Sequence, residues 1–216
     1  MNHPLPSTTS PASPSVSASR RRRRLSAGLA ALAVAGIALS GCAPAVSPAD
    51  VDSVASARDL LAAHDLAGLD VGEVIERLDA MPVADRPDDL LASVEPDALL
   101  LRDTSGRESR LPMPDDAVYI SVAPFREQTH ECHFHSLTTC VGELSDTEMR
   151  IVLTAADGTV LIDEMRRTHD NGFTGVWVPR GIEATLTVES AGLTGTVPLW
   201  TTSPDDRTCV TDLQLL

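Results

Sequence analysis

Eleven residues, His130 to Cys140, hold three of the chain's six histidines and two of its four cysteines, and a further cysteine, Cys209, lies near the C-terminus. The stretch reads Thr129-His-Glu-Cys-His-Phe-His-Ser-Leu-Thr-Thr-Cys140. Thiolate and imidazole are the side chains that take soft and borderline transition metals. Clustering them is costly without a use, because free thiols oxidise and unpaired imidazoles bury badly. The feature constrains the whole chain. The fold is expected to let Cys132, Cys140 and Cys209 meet around a metal, with His130 or His135 beside them.

Residues 1–42 read as an export address. Met1–Ser19 is rich in Pro, Ser and Thr, Arg20–Arg24 is a block of five arginines, and Leu25–Leu39 is an apolar run. That run is short of the roughly 20 residues a membrane-spanning helix needs. A basic segment, an apolar segment and a small-residue exit make a secretory signal. The exit, Leu39-Ser40-Gly41-Cys42, resembles a bacterial lipobox. Cys42 is then expected to be lipidated, anchoring the mature chain to the cell membrane outside the cytoplasm. An ordinary cleaved signal is the alternative, and the arginine block also resembles a twin-arginine export signal.

All 17 cations are arginine, and five of them lie in Arg20–Arg24. The remainder, 12 cations against 31 acids, leaves a formal charge near −19 beyond residue 42. Phosphate would be repelled, so nucleic acid is excluded as a partner. The field mildly favours cations, and the acids are scattered as on a solvated surface. With only 3% aromatics, the core must rest on Leu, Val, Ile and Ala.

The pattern predicts an α+β chain. Residues 43–97 form a tether and a small helical subdomain, and residues 98–216 a β-rich domain of sandwich or barrel type. Val51, Val54, Leu60, Leu61 and Leu66 fit one helical face, ending near Gly68. Asp70 can cap a second helix, with Val74, Ile75 and Leu78 on one side and Glu73, Glu76, Arg77 and Asp79 on the other. Arg86-Pro87-Asp88-Asp89 is expected to start a third helix through Val94, with Pro87 in its first turn. These helices are too short to bury much alone and are expected to pack on the next part, on a second copy, or both. From Ala98 the period changes to that of strands. Asp103–Gly106 and Ala156-Asp157-Gly158 read as hairpin turns and Asp170-Asn171-Gly172 as a further turn, with Ala117–Ala123 a strand leading into the Cys/His stretch and Cys209–Leu215 a closing strand.

With Cys42 set aside, three cysteines remain, an odd number outside the cytoplasm. One reading is a Cys132–Cys140 or Cys140–Cys209 disulfide with one thiol left over, as an oxidising compartment favours. The other is a three-thiolate metal site, and the two are compatible if the empty site oxidises. Copper as Cu(I) accepts two or three thiolates with an imidazole; zinc is the weaker alternative, through a Cys3His tetrahedron. There is no C-x2-C pair, which argues against a standard zinc finger or a thioredoxin-like motif. His133 and His169 read as surface or turn residues, and His64 as a helix-end residue. No Gly-x-Ser-x-Gly elbow and no glycine-rich phosphate loop is present.

The signature His130-x-Cys132-x-x-His135-Ser-Leu-Thr-Thr-Cys140-x-Gly-Glu143 resembles that of the CueP family of extracytoplasmic copper-binding proteins. The resemblance extends to Val74-Ile-x-x-Leu-Asp, Arg86-Pro-x-Asp-Leu-x-Ala-Ser-Val, Asp170-Asn-Gly-Phe-x-Gly and Thr-Cys209-x-Thr-x-Leu-Gln-Leu. It implies copper bound in the periplasm by Cys132, Cys140 and Cys209 with nearby histidines, a role in copper resistance and in copper supply to a periplasmic superoxide dismutase, and a dimer with a smaller N-terminal and a β-rich C-terminal part. Two features depart from the family pattern: the lipid signal at Cys42, and His133 where an aromatic is expected.

The sequence thus reads as an extracytoplasmic, lipid-anchored copper-binding protein. It would sequester Cu(I) or hand it to a copper-receiving extracytoplasmic partner, with His130 or His135 as auxiliary ligand. It is not read as an enzyme, although its thiols can reduce Cu(II). The rivals are a thiol–disulfide exchange protein using the same cysteines and a disulfide-stapled β domain with no metal role.

Overall fold

Two helices followed by strands make up residues 48–216, the part of the chain that the computed structural model describes, with side chains from Ser56 onward. The export signal, Cys42 and most of the tether lie outside the described residues. No helix among the described residues is long and apolar enough to cross a membrane.

Helix α1 spans Pro48–Ala63. It ends short of Gly68, and the chain turns through Asp65 and Gly68, both at positive φ, with Leu66 fully buried between them. Helix α2, Val71–Asp79, starts as the pattern requires. Asp70 accepts the Glu73 N–H and Glu73 accepts the Asp70 N–H, each at 2.9 Å, a reciprocal cap that satisfies two otherwise orphaned donors. Val74, Ile75 and Leu78 form its buried face, but Asp79, placed by period on the polar side, is also buried.

The expected third helix does not form. Residues 83–85 make one 3-10 turn, and Leu90–Val94 is a strand with alternating burial. Leu90, Ala92 and Val94 turn inward at a period of two, and pairing on both edges outweighs the helical start signals of Pro87 and the acids.

In chain order the strands are β1 (Leu90–Val94), β2 (Ala98–Asp103), β3 (Glu108–Pro112), β4 (Ala117–Val122), β5 (His135–Ser136), β6 (Glu148–Ala155), β7 (Val160–Arg167), β8 (Thr174–Pro179), β9 (Glu183–Ser190), β10 (Leu193–Trp200) and β11 (Cys209–Val210). They form three sheets, ordered β3-β2-β1-β5, β10-β9-β6-β7 and β11-β4-β8. Both predicted hairpins are present. In the first, the Asp103 carboxylate accepts the Ser105 and Arg107 N–H groups at 2.9 Å, and Gly106 takes the positive φ the turn needs.

Strand β4 divides the core. Val118, Ile120 and Val122, with Val176, Val178 and Val210, face Met149, Ile151, Leu153, Leu186 and Val188 of the second sheet. On its other face Tyr119 packs with Leu60, Leu66, Val74, Ile75 and Leu78 of the helical segment and with Ala92, Val94, Leu99 and Leu101 of the first sheet. The helical segment therefore packs on the part that follows it, as its size requires. Each Leu or Ile it buries contributes about 1.5–3 kcal/mol only because the first sheet closes over it. Tyr119 lies across Gly175, where any β-carbon would collide with its ring.

The closing strand is shorter than expected. Cys209–Val210 pairs as a strand, parallel to Ser121–Val122 of β4, and Gln214 makes a single parallel bridge to Phe125. Beyond it the tail divides its hydrogen bonds between two partners. Leu215 N–H donates to the Phe125 carbonyl at 2.8 Å, whereas Leu216 exchanges bonds with Thr194 of β10. Alternating burial survives through Leu213 and Leu215, but a tail shared between two neighbours does not make a continuous ladder.

Candidate metal centre

Three segments meet at the end of β4. Cys209 arrives on β11, fixed by the parallel register that places it beside Ser121. The loop after β4 brings Cys132 alongside, because the His133 carbonyl accepts the N–H groups of both Thr208 and Cys209, at 3.0 and 3.1 Å. His135 sits on β5, paired to Val94 at the edge of the first sheet. The Thr208 hydroxyl bridges the two, accepting the His135 N–H at 3.1 Å and donating to the Val94 carbonyl at 2.5 Å. Cys140 ends the turn that follows, its N–H bonded to the Ser136 carbonyl at 3.1 Å. Gly142 then donates to the Asn171 carbonyl at 2.7 Å, and a close approach to Gly172 leaves no room for a side chain at either glycine.

The donor atoms of Cys132, His135, Cys140 and Cys209 all lie within 4.8 Å of one another. Cys132 and Cys209 are joined as a disulfide with Cα atoms 5.7 Å apart, and Cys140 is a free thiol. Neither pairing weighed from the sequence is the one formed. Cys132 pairs with Cys209, beside which the His133 carbonyl holds it, leaving Cys140 as the odd thiol. Its sulfur is 3.6 Å from that of Cys132, and His135 Nδ1 is 3.7 Å from the Cys209 sulfur. Two donors held about 2.1–2.3 Å from one ion are separated by roughly 3.5–4 Å. Once the disulfide is reduced, three sulfurs and one imidazole nitrogen therefore fit a shared soft or borderline ion.

His130 is not in this group. Its ring lies edge-on to Phe173 with centroids 6.2 Å apart, and its Nε2 is buried without a partner among the described residues. Phe173 packs more closely on His135, at 4.4 Å. His133 turns outward, its Nε2 2.9 Å from the Asp205 carbonyl. His169 serves the turn at 170–172 through its backbone, and His64 pairs with Asp89 at the surface.

A carboxylate that the sequence pattern assigned to the polar face of α2 organises the site from behind. Asp79 is wholly buried and takes bonds from the Tyr119 hydroxyl at 2.7 Å, His135 Nε2 at 3.2 Å and Asn171 Nδ2 at 3.3 Å. Asn171 Nδ2 also donates to the Asp79 carbonyl at 2.9 Å. Burial alone would raise the Asp79 pKa; the hydrogen bond and charge of His135, with the Tyr119 hydroxyl, outweigh it and hold it below the usual carboxylate value. Burial alone would lower His135, but Asp79 and then Cys140 raise it. Burial would raise the Cys140 thiol, yet His135 foremost, then the Ser136 backbone hydrogen bond and the charge of Arg86, hold it below the usual thiol value. With its Nε2–H donating a hydrogen bond to the Asp79 carboxylate, His135 turns Nδ1 toward the sulfurs, an orientation in which a carboxylate can fix a histidine for metal binding.

A family model described as "Periplasmic copper-binding protein CueP" matches residues 73–214. The chain belongs to the CueP family. The crystal structure of S.CueP aligns with it at a TM-score of 0.69 and 35% identity, over 74% of this chain and 98% of that one. No curated protein matches it. The motifs on which the resemblance rests have physical roles in this fold. In Asp170-Asn-Gly-Phe-x-Gly, the Asp170 carboxylate accepts the Val83 N–H at 2.8 Å, Asn171 engages Asp79, Gly172 takes φ +78°, Phe173 packs on His135 and Gly175 makes room for Tyr119. Val74-Ile-x-x-Leu-Asp ends on Asp79, and that motif was the signal that could have marked this residue.

Replacing Asp79 with Ala strands the donors of Tyr119, His135 and Asn171 and should destabilise the oxidised protein by about 3–5 kcal/mol, read from urea unfolding; a loss below ~1 kcal/mol would show that these groups do not depend on it. Glu143 accepts the N–H groups of Arg126, Glu127 and Gln128 at 2.8, 3.1 and 3.2 Å, and these bonds hold its carboxyl below the ordinary value. A depressed folded pKa means the order it confers is complete above the unfolded value and lost as pH falls through the folded one. The three amide resonances should titrate together with a midpoint below about 4.3; a higher midpoint would contradict the arrangement.

Proposed function

We propose that this chain is an extracytoplasmic copper-binding protein that holds Cu(I) on Cys132, Cys140 and Cys209 with His135 as the auxiliary ligand. The convergence of these four donors within 4.8 Å, in a member of a family described as periplasmic and copper-binding, supports the reading. Three thiolates suit a soft monovalent ion, and the buried imidazole completes the set. Zinc is the weaker candidate for the same donors. His130 would be a ligand only after its ring leaves Phe173.

Loading requires the Cys132–Cys209 disulfide to take up two electrons and two protons from an external dithiol, which becomes a disulfide, giving two thiols whose protons are released to solvent as the metal binds. In the reverse sense, two thiolates can give one electron each to two Cu(II) ions, ending as the disulfide with two Cu(I) ions formed. Binding should weaken at low pH and on oxidation. The role is sequestration of Cu(I) or its transfer to an extracytoplasmic recipient. Lipidation at Cys42 would confine that role to the membrane surface, and a homodimer is part of the same proposal.

A second reading is favoured by one observation, the Cys140 thiol 3.6 Å from Cys132. Attack of the Cys140 thiolate on Cys132 would form a Cys132–Cys140 bond and release Cys209 as thiolate, the elementary step of thiol–disulfide exchange.

Anaerobic titration of reduced protein with Cu(I) against a competing chelator should give one tightly held copper per chain and three thiols protected from alkylation. A Cys132/Cys140/Cys209→Ser variant should hold none. No retained copper, together with catalysed insulin reduction, would establish the exchange reading instead. Cys42→Ser should move the protein from the membrane fraction to the soluble fraction; an unchanged distribution would remove the anchor.

A further inference from the structure

Arg86 borders the site from the segment between α2 and β1. Its Nη1 donates to the Cys140 carbonyl at 2.7 Å. Its Nε and Nη2 are buried and meet no acceptor among the described residues. The two nearby carboxylates are otherwise engaged: Asp79 with His135, Tyr119 and Asn171, and Asp170 with the Val83 N–H. Pro87 helps hold this arrangement, because the residue before a proline is confined to extended backbone and Arg86 has φ −64°, ψ 136°. A half-buried guanidinium whose Nε and Nη2 are out of solvent without an acceptor is costly unless one arrives.

A metal-loaded site would offer the acceptor it lacks. In the disulfide form the site contains one ionisable sulfur, Cys140. When three thiolates surround a monovalent ion, two negative charges remain uncompensated, beside the further negative charge of Asp79. Around a divalent ion the same thiolates leave only one. We propose that Arg86 is the counter-charge of the three-thiolate site, its Nε and Nη2 donors reserved for the sulfurs of the Cu(I) form, and that it biases the site toward Cu(I) over Zn(II). The proposal rests on the copper reading and adds to it a selectivity residue outside the ligand set.

The test uses the full chain, reduced, with Cu(I) and Zn(II) affinities measured by chelator competition for wild type, Arg86→Gln and Arg86→Lys. Glutamine keeps an N–H donor for the Cys140 carbonyl and removes the charge; lysine keeps the charge. Arg86→Gln should lose about 10–100-fold in Cu(I) affinity, the range typical of partners just outside a ligand shell. It should lose distinctly less for Zn(II), and Arg86→Lys should recover most of the Cu(I) loss. Equal losses for both metals in both variants would reduce Arg86 to a clamp on the Cys140 turn and overturn the proposal. In wild-type protein, the Arg86 Nε–H resonance should shift and become protected from exchange on Cu(I) loading; an unchanged resonance would also overturn it, whether or not the variants fold. Wild-type protein that holds no Cu(I) overturns the copper reading and this proposal with it. Wild-type binding that Arg86→Gln leaves unaltered overturns this proposal alone.

Discussion

The bonds to one buried carboxylate fix how the parts of this molecule meet. Asp79 lies at the C-terminal end of α2, where the helix dipole disfavours negative charge. It is stable there because three donors converge on it from elsewhere in the fold. Tyr119 belongs to the third sheet, His135 to the edge of the first, and Asn171 to the turn that leads into β8. Helix, first sheet and third sheet are thus registered against each other at a single group. Hydrophobic burial supplies most of the stability but tolerates sliding; a satisfied buried network is far more demanding about position.

That demand is passed directly to the sulfurs. His135 cannot rotate without giving up Asp79, and Phe173 packs against the face of its ring. The Thr208 hydroxyl ties the backbone of His135 to β1, and the neighbouring residue is Cys209. Cys140 is held through its turn, through Arg86 and through the Gly142–Asn171 bond. Each donor is positioned by groups that also belong to the core, so the site does not depend on loop conformation alone.

Much of this was legible in the residues. The hairpin turns at Asp103–Gly106 and Asp157-Gly158, the cap at Asp70 and the alternation of β4 are local signals, and they set local structure. The Cys/His stretch pointed to the candidate cluster because its residue types have few other uses, although His130 falls outside it. What the sequence concealed is non-local. Asp79 sits among Glu76, Arg77 and other polar residues, and nothing near it reveals that a tyrosine 40 positions on will bond to it. Leu90–Val94 carries helical start signals and becomes a strand because β2 and β5 offer their edges. Cys132 meets Cys209 across 77 positions through the β11–β4 pairing and the His133 carbonyl, contacts that no local pattern encodes. His130 and His135 are equivalent by composition and are separated only by which of them reaches Asp79.

The Cys132–Cys209 bond closes a loop of 77 residues that contains β5 through β10. Closing a loop of that length removes about 4–5 kcal/mol of chain entropy from the unfolded state. Reduction gives that constraint up, and a metal bridging the same sulfurs would restore it. If such a metal binds, the reduced, metal-free chain would be the least durable of the three states, short-lived where proteases are active. A molecule that has neither cargo nor oxidised cysteines would be the one removed first, so turnover would itself favour the filled and the stored forms.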